Sequence, residues 1–284
     1  MLRPSDISPL SRLMRRVDAA SDGATIADSF ATGYPSVDKW LGGGVRRGDL
    51  VCIGGETGSG KSSLALAMAL RMAQAGTAAT FLSAEMSVDR VLERALAIEG
   101  RARVDEIRAG TLDELSRASV GGAALRLRDG GPRIDRLPCR SPGAIGDLLR
   151  QSLDLDVAFI DPLQALALGE RPLDEDLASA VRALKQLAVD LDIAVVLATH
   201  LTPSPAARAD PRPTLDDFGA LGAVRQHADV VMGIFREEMY RPDSGVEGAT
   251  ELIIRKNRNG STGYVDLYFY KQWLRFEDML DPDR

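Results

Sequence analysis

Gly55-Glu56-Thr57-Gly58-Ser59-Gly60-Lys61-Ser62 lies between an apolar run, Leu50-Val51-Cys52-Ile53, and a helical pattern that begins Ser63-Leu64-Ala65-Leu66-Ala67-Met68. The octet fits G-x-x-x-x-G-K-[ST], and a strand before it with a helix after it is the context that gives this spacing its meaning. The glycines let successive backbone N–H groups converge on phosphate oxygens, and the helix N-terminus adds its partial positive charge. Lys61 is then expected to reach the β- and γ-phosphates of a nucleotide, and Ser62 to ligate Mg²⁺. The candidate binding loop comprises Gly55, Glu56, Thr57, Gly58, Ser59, Gly60, Lys61, Ser62 and Ser63.

Outward from the loop, the chain alternates strands and helices. Apolar strand candidates are Leu50–Gly54, Ala79–Ser83, Val157–Ile160, Ala194–Thr199 and Val230–Phe235. They are short and apolar on both faces, as buried parallel strands are. Helical patterns fall at about 62–75, 87–99, 112–126, 142–152 and 175–191. The expected fold is therefore α/β, a mostly parallel central sheet with helices on both faces. Near the C-terminus, Glu251–Arg258 and Tyr264–Tyr270 alternate around Asn259-Gly260-Ser261-Thr262-Gly263, which predicts a β-hairpin with Asn-Gly supplying positive φ. Gln272–Glu277 is a further strand candidate. Residues 1–31 read as an appendage to a single domain at 32–284. In it, Leu10, Leu13, Met14 and Val17 share one face of a helix, with Arg12, Arg15 and Arg16 on the other side. One short amphipathic helix cannot bury its own apolar face, so it is expected to dock on its own body or on a neighbouring chain.

Composition bounds the function. Thirty-five Lys and Arg stand against 41 Asp and Glu, a net charge of −6. The apolar fraction of 45% suits a soluble globule and excludes disorder throughout. There is no run of eighteen apolar residues for a membrane span and no apolar signal region at Met1-Leu2-Arg3. Cys52 and Cys139 are too few for a disulfide framework or a zinc site and read as buried small hydrophobes. A reducing, cytoplasmic setting is expected. The acidic balance argues against coating nucleic acid through an outer basic surface but leaves a local basic channel open.

Three strand ends converge on chemistry. Asp161 closes Phe159-Ile160-Asp161 at the carboxyl edge of the sheet, where a carboxylate completes the Mg²⁺ shell. Glu85 follows Phe81-Leu82-Ser83-Ala84 on the same edge and is the candidate general base for an attacking water. The alternative is that Glu85 decorates the first turn of the helix starting near Ser87. Thr199-His200 closes a further strand, and His200 is either a γ-phosphate contact or a packing residue.

The ordered set of motifs resembles the RecA-like motor domain of DnaB-type replicative helicases. It comprises Thr32-Gly33-Tyr34-Pro35-Ser36-Val37-Asp38, the phosphate loop, Ser83-Ala84-Glu85-Met86-Ser87 and Ile160-Asp161-Pro162-Leu163-Gln164. Gly222-Ala223-Val224-Arg225-Gln226-His227-Ala228-Asp229 and Lys256-Asn257-Arg258-Asn259-Gly260 complete it. The resemblance runs from about residue 10 to the end, without the family's separate N-terminal helical domain, and leaves loader and primase contacts unassigned. It implies a RecA-like P-loop NTPase using ATP and Mg²⁺, assembled as a hexameric ring with ATP sites between subunits and single-stranded DNA in its channel. On matching positions it makes Lys61 and Ser62 phosphate and Mg²⁺ ligands, Glu85 catalytic and Asp161 the Walker B acid. It makes Arg258 an arginine finger toward a neighbour's γ-phosphate, with Lys256 beside it; from the residues alone, the two are equally well solvated hairpin charge. It also implies that helix 10–18 is the linker that docks on the adjacent subunit.

The chain departs from that pattern in three places. His200 stands where the family usually has Gln. Gly219 and Ala220 stand where an Arg-Glu pair approaches the DNA backbone, which removes a cationic contact and leaves backbone N–H groups. Gly42-Gly43-Gly44 before the first strand looks more like the RecA, RadA and KaiC branch. Arg208 and Arg212, in the loose segment 202–213, are candidates to point into a ring channel or to be solvated. At this level an ATP-driven translocase that unwinds duplex stands beside two rivals: a regulator or recombination mediator without unwinding, and a protein that uses nucleotide only to assemble.

Overall fold

All five apolar runs read as strands pair side by side in a computed structural model, which describes residues 9–21, 29–137, 141–152, 154–169, 171–202, 208–241 and 245–279. The strands are β1 Ser29–Phe30, β2 Val45–Arg46, β3 Leu50–Gly55, β4 Ala79–Ser83, β5 Arg133–Arg136, β6 Val157–Asp161, β7 Ala194–His200, β8 Val230–Phe235, β9 Ala249–Asn257, β10 Gly263–Tyr270 and β11 Arg275–Asp278. The helices are α1 Pro9–Ser21, α2 Pro35–Leu41, α3 Lys61–Gln74, α4 Val88–Gly100, α5 Val104–Ala109, α6 Glu114–Gly130, α7 Pro142–Arg150, α8 Leu173–Asp190 and α9 Ala223–His227.

Nine strands form one sheet in the order β11-β10-β9-β8-β3-β7-β6-β4-β5. From β8 to β5 the pairing is parallel, and from β8 to β11 it is antiparallel. Successive side chains of a strand face opposite sides, and the core divides accordingly. Val51, Ile53, Phe81, Phe159 and Val196 pack with Leu64, Met68 and Met72 of α3 and with Val91 and Ile98 of α4. Leu50, Cys52, Leu82, Ile160 and Leu197 pack on the other face with Ile145 of α7 and Leu177, Val181 and Leu184 of α8. Cys52 is therefore a buried hydrophobe, and burial pushes its thiol up to about 12. Cys139 lies outside the described residues.

β5 has no counterpart among the strand candidates. Its sequence, Arg133-Ile134-Asp135-Arg136, is charged because it is an edge strand, where charge blunts further pairing. The C-terminal hairpin forms, but its turn differs from expectation. Neither Asn259 nor Gly260 takes a positive φ. The connection spans 258–262, and Asn257 organises it: its amide donates to the Trp40 and Ser261 carbonyls, both at 3.0 Å, and its Oδ1 accepts from the Asn259 N–H. Residues 271–273 form a 3₁₀ turn rather than strand, so β11 starts at Arg275. The triple glycine meets local demands: Gly42, Gly43 and Gly44 all have positive φ, and a Cβ on Gly44 would sit 2.0 Å from the Phe30 carbonyl oxygen.

α1 forms as expected, with Leu10, Leu13, Met14 and Val17 all exposed. No helix among the described residues is long and apolar enough to cross a membrane.

The outer strands fold over the phosphate loop. Phe269 and Phe276 stack with centroids 4.4 Å apart, and a Cβ on Gly60 would meet Phe276 at 2.7 Å. Phe276 is fully buried, so Phe276→Ala is expected to lower stability by about 3–5 kcal/mol in chemical denaturation. The exposed Tyr264→Ala is expected to change it by no more than about 0.5 kcal/mol. Equal effects would contradict this packing.

Candidate nucleotide site

β3 ends at Gly55 and the chain turns through Gly58 (φ 85°) and Gly60 (φ 100°), a left-handed region open to glycine. α3 then starts at Lys61 with no side-chain cap on its first turn. Its leading N–H groups are therefore available to an anion. The buried Ser59 hydroxyl has no protein partner. A phosphate-sized ligand would satisfy both.

Four parallel strands deliver polar residues to this edge. Ser62 Oγ donates to Asp161 Oδ1 at 3.0 Å. The Asp161 carbonyl accepts from the Ala84 N–H at 2.8 Å, which fixes the exit of β4 beside the end of β6. Glu85, with its side chain 58% exposed, lies 3.9 Å from His200 Nε2. Thus Lys61, Ser62, Glu85, Asp161 and His200, read separately from sequence, meet in one site.

Their charges act on one another. Burial raises the Asp161 pKa above its ordinary value, while the Ser62 hydrogen bond and Lys61 oppose the rise. Burial lowers the Lys61 pKa, opposed by Asp161 and Glu85. The His200 pKa is lowered by burial and then by Lys61, with Glu85 pulling the other way. No three His, Cys, Asp or Glu side chains gather as a metal cage among the described residues. Ser62 and Asp161 instead offer the sparse oxygen set that suits Mg²⁺ completed by phosphates and water.

Gln164, named above only as part of a motif, and Arg236 and Arg94, which carry no local signal, converge here through tertiary structure. Gln164 clamps the end of β7: its amide donates to Thr199 Oγ1 at 3.1 Å and the His200 carbonyl at 3.2 Å, and its Oε1 accepts from the His200 N–H at 3.0 Å. Arg236 follows β8. It is buried over the Phe269 ring, ion-paired with Glu238, and donates to the Gly58 carbonyl at 3.1 Å. Half-buried Arg94 of α4 acts electrostatically on Asp161. A cleft of about 570 Å³ opens beside Gly58, walled by Arg236, Met239, Val246 and Lys271. A larger cleft, about 950 Å³, lies between α2 and the outer hairpin and holds none of the phosphate-site residues.

Lys256 and Arg258 are elsewhere. Val231 of β8 pairs with Lys256, and Val230 with Asn257. This register places both cations at the amino edge of the parallel strands, opposite the phosphate loop. Both also grip the end of α9. Lys256 Nζ donates to the Arg225 carbonyl at 2.7 Å, and Arg258 Nη2 to the Gln226 carbonyl at 3.0 Å.

Arg208 and Arg212 are each ion-paired within the chain. Arg208 forms two hydrogen bonds with Asp217, at 2.9 and 2.8 Å, and Arg212 pairs with Glu251 at 2.7 and 2.6 Å. Residues 203–207 of that segment lie outside the described residues. Gly219, Ala220, Leu221 and Gly222 form a left-handed turn with φ of 60°, 51°, 51° and 76°. Ala220 is buried, whereas Leu221 is exposed.

Residues 29–278 match the DnaB-like helicase C terminal domain family. The chain belongs to that family. A replicative DNA helicase DnaB from Leifsonia xyli subsp. xyli is 31% identical over 261 residues, covering 87% of this chain and 55% of the relative. The chain thus spans about half the length of the curated relatives it matches. Among solved structures, a DnaB-like replicative helicase superposes with a TM-score of 0.85 at 23% identity, covering 96% of this chain and 67% of that one. A KaiC-like protein from Pyrococcus horikoshii is more distant, at TM-score 0.61 and 15% identity, covering 86% of this chain and 96% of that one. The glycine triplet, explained by local geometry, therefore does not shift this DnaB-family domain toward the KaiC branch.

The His200 environment is directly measurable. Its folded form favours the neutral ring, so this group's stabilising contribution is full above the ordinary value of 6.5 and is lost as pH falls through the lower folded midpoint. NMR titration should give a His200 midpoint below 6.5, moving lower still in Glu85→Gln because a nearby carboxylate is removed. An upward move in that variant would contradict the placement of Glu85.

Proposed function

We propose that this domain is the ATP-hydrolysing motor of a DnaB-type helicase, working as a hexameric ring that moves along single-stranded DNA and unwinds duplex. The observation carrying this reading is the split of the candidate residues. Lys61, Ser62, Glu85, Asp161 and His200 occupy one sheet edge, and Lys256 with Arg258 occupy the other. A complete γ-phosphate site then takes one edge from each of two chains.

Lys61, Ser62 and the uncapped N–H groups of α3 hold the phosphates, and the cleft beside Gly58 takes the base and ribose. Mg²⁺, held by Ser62 and through the Asp161 carboxylate, supplies neutralisation of phosphate charge. Glu85 accepts the proton of the attacking water, and its exposed position leaves room for that water. His200 contacts the γ-phosphate at the end of β7. Arg258 of the neighbouring chain neutralises charge on the transferred group, with Lys256 beside it. The exposed apolar face of α1 docks on that neighbour.

DNA contact is proposed at the 219–222 turn. Gly219 and Ala220 bring no cation, and the Gly219 and Gly222 N–H groups are bonded within the chain, which leaves those of Ala220 and Leu221 for phosphates. Fewer cationic contacts mean a shallow dependence of binding on salt.

The reading predicts that Glu85→Gln lowers ATP turnover at least about a hundredfold while ATP binding persists. Lys61→Ala should weaken binding itself. Single-stranded DNA should raise the ATPase rate of the wild type at low salt. Turnover unchanged in Glu85→Gln would remove its catalytic role. An ATPase indifferent to DNA would support the regulator instead.

A further inference from the structure

Asp229, just ahead of β8, is buried and takes three donors on its carboxylate. Oδ2 accepts from the Leu50 N–H at 2.8 Å and from Lys185 Nζ at 2.6 Å. Oδ1 accepts from Arg258 Nη1 at 3.0 Å. The Asp229 carbonyl accepts from the Arg258 N–H at 2.9 Å. One residue thus holds Arg258 by both backbone and side chain, while the Arg258 side chain stays 51% exposed. Lys185, from α8, is itself fixed by donating to the Gly48 carbonyl at 2.7 Å.

The second cation matters electrostatically. An isolated Asp–Arg pair is neutral and projects little field onto a nearby phosphate. Here Lys185 balances Asp229 from the other carboxylate oxygen, so the three groups keep one net positive charge at the exposed end, where Arg258 lies. The brace also reaches β3, since Leu50 opens the strand that ends at the phosphate loop. The Arg258 guanidinium is therefore registered to the chain's own nucleotide strand, whose far end is about 17–20 Å away.

We propose that Asp229 and Lys185 are positioning residues for Arg258: Asp229 aims the guanidinium outward, and Lys185 neutralises Asp229 so that the charge of Arg258 stays available to a neighbour's nucleotide. This rests on the trans role assigned to Arg258 under the proposed function.

The test is complementation in mixed assemblies of the full chain, read as ATP turnover. Lys185→Met should lower kcat about tenfold, a fraction of what an arginine finger supplies, with KM for ATP little changed. Lys185→Arg should restore kcat. An equal mixture of Lys185→Met and Lys61→Ala should recover activity, because the second chain lends an intact Arg258 cluster to an intact phosphate loop. An equal mixture of Lys185→Met and Arg258→Ala should not recover, because neither chain supplies a working finger. Recovery in that second mixture, or full activity of both Lys185→Met and Asp229→Asn, would overturn the inference. If Asp229→Asn fails to fold, Lys185→Met still decides, since it leaves the Leu50 and Arg258 bonds in place. Separately, failure of Lys61→Ala and Arg258→Ala to complement each other would remove the trans role of Arg258 itself. Complementation by that pair, with recovery of Lys185→Met by Arg258→Ala, would remove only the positioning role.

Discussion

The N–H of Leu50 donates to Asp229 at the amino end of β3, and at its carboxyl end the same strand runs into the phosphate loop. β3 lies between β7 and β8, paired in parallel with both. Each parallel neighbour therefore delivers its carboxyl end to the phosphate loop, and the antiparallel return of β9 delivers Lys256 and Arg258 to the opposite edge. No side-chain movement of ordinary reach brings those two cations to their own phosphate loop. Strand direction therefore supports the proposed division of the site between chains.

The residues flanking the loop support it by different means. Gly60 must be glycine for its φ and because Phe276 packs where a Cβ would stand. Arg236 ties the Gly58 carbonyl to the end of β8 from a buried position, and burial lowers its pKa. Gln164 ties the Asp161 segment to His200. These contacts hold the site in place from three strands, as a preorganised phosphate site requires. α9 forms a further link. It follows the left-handed turn at 219–222, and its last carbonyls hold Lys256 and Arg258. Ala220 and Leu221 sit at positive φ, a backbone cost of about 1–2 kcal/mol each that surrounding packing sustains. A turn proposed to touch DNA is therefore one short helix away from the proposed trans cations.

Much of this was legible in the sequence because the signals were local. The octet at 55–62, flanked by strand and helix, is self-contained, and buried parallel strands have a plain apolar signature. The ends of those strands alone place Asp161, Glu85 and His200 on one edge. What escaped had no local signal. β5 is charged like a loop because it is an edge. Arg236, Arg94 and Lys185 look like ordinary surface cations until the sheet closes around them. The ion pairs of Arg208 and Arg212 have no local signal because their partners, Asp217 and Glu251, lie nine and 39 residues away. The Asn-Gly expectation fails because the five-residue connection, organised by Asn257, needs no positive φ at either residue.

As proposed, the ATP site is completed only between chains. The most direct measurement is ATP turnover per subunit across a dilution series, with native mass followed in parallel. Turnover should rise with concentration in step with assembly and fall toward zero as the chain becomes monomeric. A monomer that hydrolyses ATP at the full rate would contradict it.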